Sequence, residues 1–175
     1  PRSFQALARR EGSRVEAARR PSRGPKTRDH GGEVKKLISF VVPVRNEQDN
    51  IEPLYAKVCE VMATLDERYD YEIIFTDNHS CDGSFEKLSV LAKRDNRVRV
   101  VRFSRDFGYQ RSIFTGYARA RGAAAIQLDC DFQDPPELVG EFLNLWESGN
   151  LVVYGVRRSR QEAWGNRLMR WIFYR

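Results

Sequence analysis

Apolar and polar positions follow two spacings along residues 37–156. Short apolar runs that end at turns predict buried β-strands, whereas apolar residues at intervals of three and four predict helices with one buried face. The five predicted strands cover residues 37–43, 71–76, 98–103, 123–128 and 151–156, and the helices between them cover residues 51–65, 84–95, 109–121 and 135–148. Strands that alternate regularly with helices form right-handed βαβ units. The pattern therefore predicts an α/β fold, a mostly parallel sheet with helices on both faces.

Polar residues gather where the predicted strands end. In parallel sheets, ligands bind beyond the carboxyl ends of the strands. The strand-end residues are Arg45-Asn46-Glu47, Asp77-Asn78-His79-Ser80, Arg105-Asp106, and Asp129 with Asp131. We expect these side chains to converge on one site.

The strongest chemical signal in this set is the pair Asp129 and Asp131. Carboxylates at i and i+2 of an extended segment lie on the same side, and the side-chain oxygen of Gln133 is within reach. Mg²⁺ and Mn²⁺ prefer oxygen ligands and keep positions open for substrate phosphates. The alternative is an acidic loop that only caps the next helix, with Asp134 before Pro135.

The turn after the first predicted strand excludes two common nucleotide-binding motifs. A dinucleotide-binding domain would place a G-x-G-x-x-G motif there, but the turn reads Pro43-Val-Arg-Asn-Glu47 and contains no glycine. The Walker motif is absent from the sequence as well. Carboxylates with a metal ion, acting on the diphosphate of a nucleoside diphosphate donor, fit this arrangement better.

The charge is divided unevenly along the chain. Residues 1–36 carry eleven Lys/Arg against four Asp/Glu, and residues 155–175 carry six Arg against one Glu, so the middle of the chain is acidic. Basic ends suit an anionic partner such as a membrane surface or a phosphate group. Residues 1–36 are poor in large apolar side chains, and we expect a mostly disordered basic tail, with a short helix over residues 4–18 as an alternative.

Two further features bound the function. The three cysteines form no C-x-x-C pair, which favours a reducing compartment over a disulfide framework. No apolar run approaches the roughly 20 residues that a membrane span needs.

Taken in order, the motifs resemble those of the inverting glycosyltransferases of family 2, which have the GT-A (Rossmann-like) fold. The resemblance covers residues 37–175. It rests on the turn 43–47, Asp77 with Ser80 and Asp82-Gly83, Arg105-Asp106-Phe107-Gly108, and Asp129-Cys-Asp-Phe-Gln-Asp-Pro-Pro-Glu137. The last motif, followed by Val153-Tyr-Gly-Val-Arg157, looks especially like the polyprenyl-phosphate hexosyltransferases.

The resemblance implies roles for individual residues. Pro43, Arg45 and Glu47 would lie against the nucleoside, Asp77 would bind the base or ribose, and Asp129, Asp131 and Gln133 would hold Mg²⁺ or Mn²⁺ at the donor diphosphate. The family often has Tyr where Arg45 stands and Asp where Asn78 stands, which leaves the choice between UDP and GDP open; a UDP-glucose-like donor is favoured.

The acceptor implied by the resemblance is a polyprenyl phosphate, which is ionised near neutral pH and needs no strong general base. Catalysis then depends on Asp129, Asp131 and a phosphate clamp formed by Arg157, Arg158 and Arg160, since guanidinium groups bind phosphate bidentately. The alternative is a solvated basic run. On these grounds we expect a catalytic domain over residues 37–160.

Residues 161–175 read as an amphipathic helix with Trp164, Leu168, Trp171 and Ile172 on one stripe, typical of a membrane-interfacial segment. The alternative is a helix that closes the core. Family members often continue into membrane spans at this point, so we expect a longer native protein at the cytoplasmic face of a membrane. We expect no nucleic-acid partner, and a homo-oligomer is left open.

Two other functions compete with this interpretation. A soluble family 2 transferase would act on a glycan or sugar hydroxyl and would not need a lipid phosphate. A non-enzymatic polyanion-binding module would depend on the basic tail alone and would leave the acidic strand ends unexplained. A receiver-like phosphoacceptor domain needs an acidic pair after the first strand, where this chain has Arg45-Asn46-Glu47.

Overall fold

The computed structural model describes residues 13–19, 35–133 and 135–157. The chain divides into two compact units, Pro25–Gly140 and the combination of Pro1–Gly24 with Glu141–Arg175. The strands are β1 (Ser13–Arg19), β2 (Lys36–Val44), β3 (Tyr69–Asp77), β4 (Val98–Arg102), β5 (Ala124–Gln127) and β6 (Asn150–Arg157). The helices are α1 (Ile51–Ala63), α2 (Ser84–Arg94), α3 (Tyr109–Arg119) and α4 (Val139–Glu147), with a 3₁₀ turn at Pro136–Leu138.

Four parallel strands form the sheet of the larger unit, in the order β4-β3-β2-β5. Strand β2 is central, and its residues Ile38, Phe40 and Val42 have no exposed surface. A strand buried on both faces has to be apolar at nearly every position, which is why this segment reads as a continuous apolar run. The predicted α/β class and parallel sheet are confirmed.

Helices cover both faces of this sheet. Gly116 of α3 lies against Val41 of β2, so closely that a Cβ at Gly116 would meet Val41 Cγ1. On α1, Cys59 Sγ accepts a hydrogen bond from Tyr71 Oη at 3.2 Å. Val41 is level with Ile74 in the sheet, three positions from Tyr71. Because successive side chains on a strand alternate between faces, α1 and α3 lie on opposite faces.

A buried polar cluster connects β2, β3 and the segment after α3. The carboxylate of Glu72, which is 5% exposed, accepts hydrogen bonds from Ser39 Oγ at 2.8 Å, Arg121 N at 2.8 Å and Arg99 Nη1 at 2.9 Å. Burial alone would raise the pKa of Glu72, but the hydrogen bonds from Ser39, Arg121 and Arg99 lower it below its ordinary value. The cluster therefore holds an ionised carboxylate inside the fold.

The smaller unit contains β1 and β6, which pair antiparallel from Ser13↔Arg157 to Arg19↔Asn150. Two predictions are corrected here. Residues 13–19 form a strand, so the expectation of a disordered or helical segment is wrong for them. The fifth predicted strand forms, but it pairs with β1 and is not part of the parallel sheet. A partner distant in sequence supplies backbone hydrogen bonds that the composition of the tail does not reveal.

In place of the predicted helix 135–148, the structure has two elements, a 3₁₀ turn at Pro136–Leu138 followed by α4. The predicted interfacial helix 161–175 and the remainder of the basic tail, residues 1–12 and 20–34, lie outside the described residues. Among the helices that the structure describes, none combines the length and apolar character needed to cross a membrane.

Candidate active site

The cleft of the larger unit lies where the direction of strand addition reverses. From β2 the chain adds β3 and then β4 on one side, and it returns to place β5 on the other side of β2. The carboxyl ends of β2 and β5 therefore diverge into different connections, which opens a crevice suited to ligands. The cleft has a volume of about 310 Å³ and is lined by Pro43, Val44, Arg45, Glu47, Asn78, Tyr109, Ser112, Asp129, Asp131 and Gln133.

The structure brings together most of the residues proposed from sequence. Pro43, Arg45 and Glu47 come from the end of β2, and Asp129, Asp131 and Gln133 from the segment after β5. The predicted nucleoside side and the predicted metal side thus face one cleft.

Asp77 is the exception among the predicted nucleotide-binding residues. It is fully buried and does not line the cleft. Its Oδ1 accepts a hydrogen bond from Ser80 N at 3.0 Å, while its Oδ2 lies 3.3 Å from Arg102 Nε without a hydrogen bond. In this arrangement Asp77 shapes the loop after β3, and Asn78 is the residue of that loop that reaches the cleft wall.

Two donors hold Asp129 in place. The Tyr109 hydroxyl donates to Asp129 Oδ1 at 2.5 Å, and Gln127 Nε2 donates to the same oxygen at 2.8 Å. Gln127 Nε2 also lies 3.0 Å from the Tyr109 hydroxyl oxygen. A carboxylate that accepts two donors on one oxygen has a fixed orientation.

Asp131 is bound by its neighbour Gln133. Gln133 N donates to Asp131 Oδ1 at 3.1 Å, and the side-chain amide nitrogen of Gln133 donates to Asp131 Oδ2. The amide therefore presents its nitrogen to the carboxylate. Gln133 would present its oxygen to a cation only after the amide group turns over.

The donor set fits a hard divalent cation. Carboxylate and amide oxygens suit Mg²⁺ and Mn²⁺, and sulfur or imidazole ligands, which suit zinc, are not part of this set. Within the described part of the chain, no three His, Cys, Asp or Glu side chains form a group that could hold a metal ion. Among the described residues, Asp129 and Asp131 are the carboxylates of this set, which matches a cation whose coordination is completed by substrate phosphates and water.

The thiol of Cys130, which lies between the two aspartates, is affected by the negative charge of this region. The side chain is 3% exposed, and burial raises the pKa of its thiol to about 12, with the charges of Glu47, Asp131 and Asp129 contributing in the same direction. The carboxylates from β2 and β5 are therefore close enough to act on one group. Such a concentration of negative charge favours a bound cation.

On the opposite wall, Arg45 is held at the cleft by Asp106. Arg45 Nη1 lies 2.5 Å from Asp106 Oδ2, and Asn78 Nδ2 donates to Asp106 Oδ1 at 2.6 Å. The hydrogen bond from Gly108 N and that from Asn78, together with the charge of Arg45, lower the pKa of Asp106. This chain of contacts links the segments that follow β2, β3 and β4. It positions the positively charged guanidinium of Arg45 opposite Asp129.

The loops after β2 and β3 are joined by reciprocal hydrogen bonds. Asn46 N donates to Ser80 Oγ at 3.0 Å, and Asn46 Oδ1 accepts from Cys81 N at 2.8 Å. In the same manner Gln48 Oε1 accepts from Gly83 N at 3.0 Å. Asn46 has a φ of 55°, a left-handed conformation that asparagine tolerates better than most residues. The predicted nucleoside side of the cleft therefore consists of two loops that are joined by hydrogen bonds.

Glu47 is fixed at the same junction. Its backbone N donates to Ser84 Oγ at 2.9 Å, and its carboxylate accepts from Asn50 Nδ2 at 2.6 Å. Asn50 occupies the N-cap position of α1, but its side chain makes no capping hydrogen bond. The side chain instead orients Glu47.

Sequence reasoning gave no site role to Tyr109, Gln127 or Ser112. Tyr109 was expected only as the first residue of a helix. Its position directly after the strand-end motif Arg105-Asp106-Phe107-Gly108 is the available signal, because the N-terminus of a helix that follows a parallel strand lies at the ligand-binding edge of the sheet.

The predicted acceptor clamp is not tested by the structure. Arg157 ends β6 in the smaller unit, and only its backbone is described. Arg158 and Arg160 lie outside the described residues. The clamp stays a prediction.

Comparison with known proteins defines the class and then the family. The fold is similar to that of the mannosyltransferase PcManGT from Pyrobaculum calidifontis, solved in complex with GDP-Man and Mn²⁺, with a TM-score of 0.51 over 60% of this chain and 30% of that chain, at 20% sequence identity. At this level of identity the likeness shows the fold alone, and that fold is GT-A.

The sequence model of glycosyl transferase family 2 matches residues 39–175. The chain belongs to this family, as the motifs indicated.

Two curated relatives illustrate the range of the family near this chain. An uncharacterized glycosyltransferase of Bacillus subtilis, YkcC, is 41% identical over 138 residues, covering 78% of this chain and 42% of the relative. The undecaprenyl-phosphate 4-deoxy-4-formamido-L-arabinose transferase of Edwardsiella ictaluri is 33% identical over 133 residues, covering 75% of this chain and 40% of the relative. The matched part of the chain thus spans about two fifths of the length of these relatives.

Proposed function

We propose that this chain carries the donor-binding part of an inverting glycosyltransferase that moves a hexose from a nucleoside diphosphate sugar to a polyprenyl phosphate with the help of Mg²⁺ or Mn²⁺. The observation that carries the proposal is the cleft at the strand switch point, where Asp129 and Asp131 face Arg45 and Glu47. UDP-glucose is the favoured type of donor.

The acceptor part of the proposal is supported by relatives whose names state undecaprenyl phosphate as the acceptor. In the proposed reaction an acceptor phosphate oxygen attacks the anomeric carbon and forms the new C–O bond. The bond from that carbon to the donor diphosphate breaks, and its electron pair leaves with the nucleoside diphosphate. Because the attacking oxygen is already ionised, the protein needs no general base for this step.

The side chains of the cleft have matching tasks. Asp129, Asp131 and, after its amide turns over, Gln133 would hold the cation, which when bound supplies positive charge against the leaving diphosphate. Pro43 and Glu47 would contact the nucleoside, and Arg45 would place a further positive charge in the cleft. Arg157, Arg158 and Arg160 are proposed as the acceptor clamp. A lipid acceptor would place the protein at the cytoplasmic face of a membrane.

The donor half of the proposal is tested by calorimetric titration of UDP, GDP and their hexose conjugates with Mn²⁺, Mg²⁺ or EDTA. We expect cation-dependent binding of one nucleotide, and Asp131→Ala should weaken it by about 10-fold or more. Asp66→Ala is the matched control, because Asp66 is exposed and precedes β3 at the opposite edge of the sheet. No nucleotide binding by the folded wild-type protein with Mn²⁺ present would overturn the proposal.

The acceptor half is tested by turnover with undecaprenyl phosphate in detergent micelles, compared with soluble glycans. Transfer to the lipid phosphate alone is expected. Transfer to a glycan hydroxyl without lipid would identify instead a soluble family 2 transferase.

A further inference from the structure

We infer that Tyr109 is a positioning residue for the cation site. It holds Asp129 so that one carboxylate oxygen is kept for the cation. The inference rests on the proposed function and adds to it a residue that the motifs of the sequence did not identify. It is carried by the closed triangle of hydrogen bonds between Tyr109, Gln127 and Asp129.

The direction of these hydrogen bonds follows from the chemistry of the three groups. An ionised carboxylate can only accept, the phenol has one hydrogen to donate, and the amide nitrogen of Gln127 has two. The phenol hydrogen therefore goes to Asp129. The phenol oxygen and Asp129 Oδ1 lie so close together that one amide hydrogen of Gln127 is shared between them.

This arrangement distinguishes the two oxygens of Asp129. Among the described residues, both hydrogen bonds that Asp129 accepts go to Oδ1. The carboxylate cannot rotate without losing two donors, one of them at 2.5 Å. Since both of these donors bind Oδ1, Oδ2 is the oxygen that is left for a cation ligated by one carboxylate oxygen.

Hydrogen bonds of residues on both sides of Tyr109 in sequence fix its position. Gly108, which precedes it, has a φ of 86° and donates its N–H to Asp106 Oδ1 at 2.8 Å. One turn further along α3, the buried Ser112 hydroxyl lies 2.8 Å from Thr76 Oγ1 of β3. The start of the helix is thus fixed to the sheet, and the phenol reaches Asp129 from a rigid support.

A second role for Tyr109, contact of its ring with the donor, is separable from the first. Tyr109→Phe keeps the ring and removes the hydroxyl, so it affects only the hydrogen bonds. Tyr117→Phe is the matched control, because Tyr117 lies on the same helix, is 43% exposed and does not line the cleft.

The experiment measures Mn²⁺ binding directly, by the electron paramagnetic resonance signal of free Mn²⁺, with and without UDP. We expect Tyr109→Phe to raise the dissociation constant of Mn²⁺ by about 10-fold, the usual effect of removing a group that orients a metal ligand. Tyr117→Phe should bind Mn²⁺ like the wild type. A near-ultraviolet difference spectrum on addition of Mg²⁺ should show a tyrosine signal in the wild type and in Tyr117→Phe and lose it in Tyr109→Phe.

The outcomes separate this inference from the proposed function. If the wild type and Tyr109→Phe bind Mn²⁺ equally well, the positioning role is refuted while the cation site stands. If the folded wild type binds no Mn²⁺ in the presence of UDP, the proposed function fails first, and the inference fails with it. Circular dichroism of both variants establishes that each is folded.

Discussion

Gly116 in α3 offers a direct test of how closely this helix lies on the sheet. In Gly116→Ala the new Cβ would lie 2.3 Å from Val41 Cγ1 and 3.3 Å from Val41 Cβ. Carbon atoms in contact are about 3.5–4.0 Å apart. Val41 has no exposed surface, so it has little room to rotate away, and α3 has to move from β2 by about 1 Å.

Two opposing effects set the magnitude. Overpacking of a buried contact costs roughly 1–3 kcal/mol, and a deficit of about 1 Å between buried atoms favours the upper end of that range. Alanine is better than glycine inside a helix by about 1 kcal/mol. We therefore expect Gly116→Ala to lower the free energy of unfolding by about 1–2 kcal/mol.

The assay is urea-induced unfolding followed by tryptophan fluorescence. Gly140→Ala is the matched control, because Gly140 is also helical and no atom lies within 4 Å of a Cβ built on it. It should be as stable as the wild type or slightly more so. The double variant Val41→Ala with Gly116→Ala should be more stable than the sum of the two single effects predicts, by about 1 kcal/mol, because the added methyl group enters the space left by the valine.

Unchanged stability of Gly116→Ala would refute the close packing of α3 on β2. So would strict additivity in the double variant. Because Tyr109 begins the same helix, a displaced α3 should also weaken Mn²⁺ binding. If the variant loses stability but binds Mn²⁺ as the wild type does, the displacement of α3 at Gly116 does not extend to Tyr109 at the start of the helix.

Two further predictions concern titrating groups. The pKa of Glu72 in the folded protein lies below its ordinary value of 4.5, so its stabilising contribution is complete above that pH and is lost as the pH falls through the lowered value. Glu72→Gln should be less stable than the wild type by about 1–2 kcal/mol at neutral pH. In urea unfolding this difference should narrow as the pH falls below the ordinary pKa of a glutamate, and a constant difference would contradict the prediction. Cys130, whose pKa is raised to about 12 by burial, should resist a thiol reagent at mildly alkaline pH, while the exposed Cys81 reacts. Peptide mass spectrometry distinguishes the two, and rapid labelling of Cys130 in the folded protein would count against its burial.

The parallel sheet was predictable because each of its strands is specified locally. The apolar run of β2 and the helical spacing of Leu54, Val58 and Met62 in α1 identify their elements without tertiary information. Once the strands are parallel, their carboxyl ends share one edge. The convergence of Arg45 with Asp129 follows from that topology alone.

The parts that sequence reasoning missed depend on contacts between distant segments. In sequence, β1 comes before the strands of the parallel sheet and β6 comes after them. No local pattern indicates that these two strands pair with each other. The burial of the Asp77 side chain depends on its hydrogen bond from Ser80 N, in the loop after β3. The start of α3 at Tyr109 was predicted correctly, but its contact with Asp129 joins two separate elements, and a helical pattern does not indicate which residue of another element a side chain will meet.

The reciprocal hydrogen bonds between the loops after β2 and β3 have a consequence for protein engineering. Asn46 and Gln48 each bind groups of the other loop, so the conformation of each loop depends partly on the other. If the loop after β2 contacts the nucleoside, as we propose, an exchange of donor preference would have to transplant residues 45–48 and 80–84 together. A graft of one loop alone would lack the amide and hydroxyl partners on the other loop that stabilise its conformation.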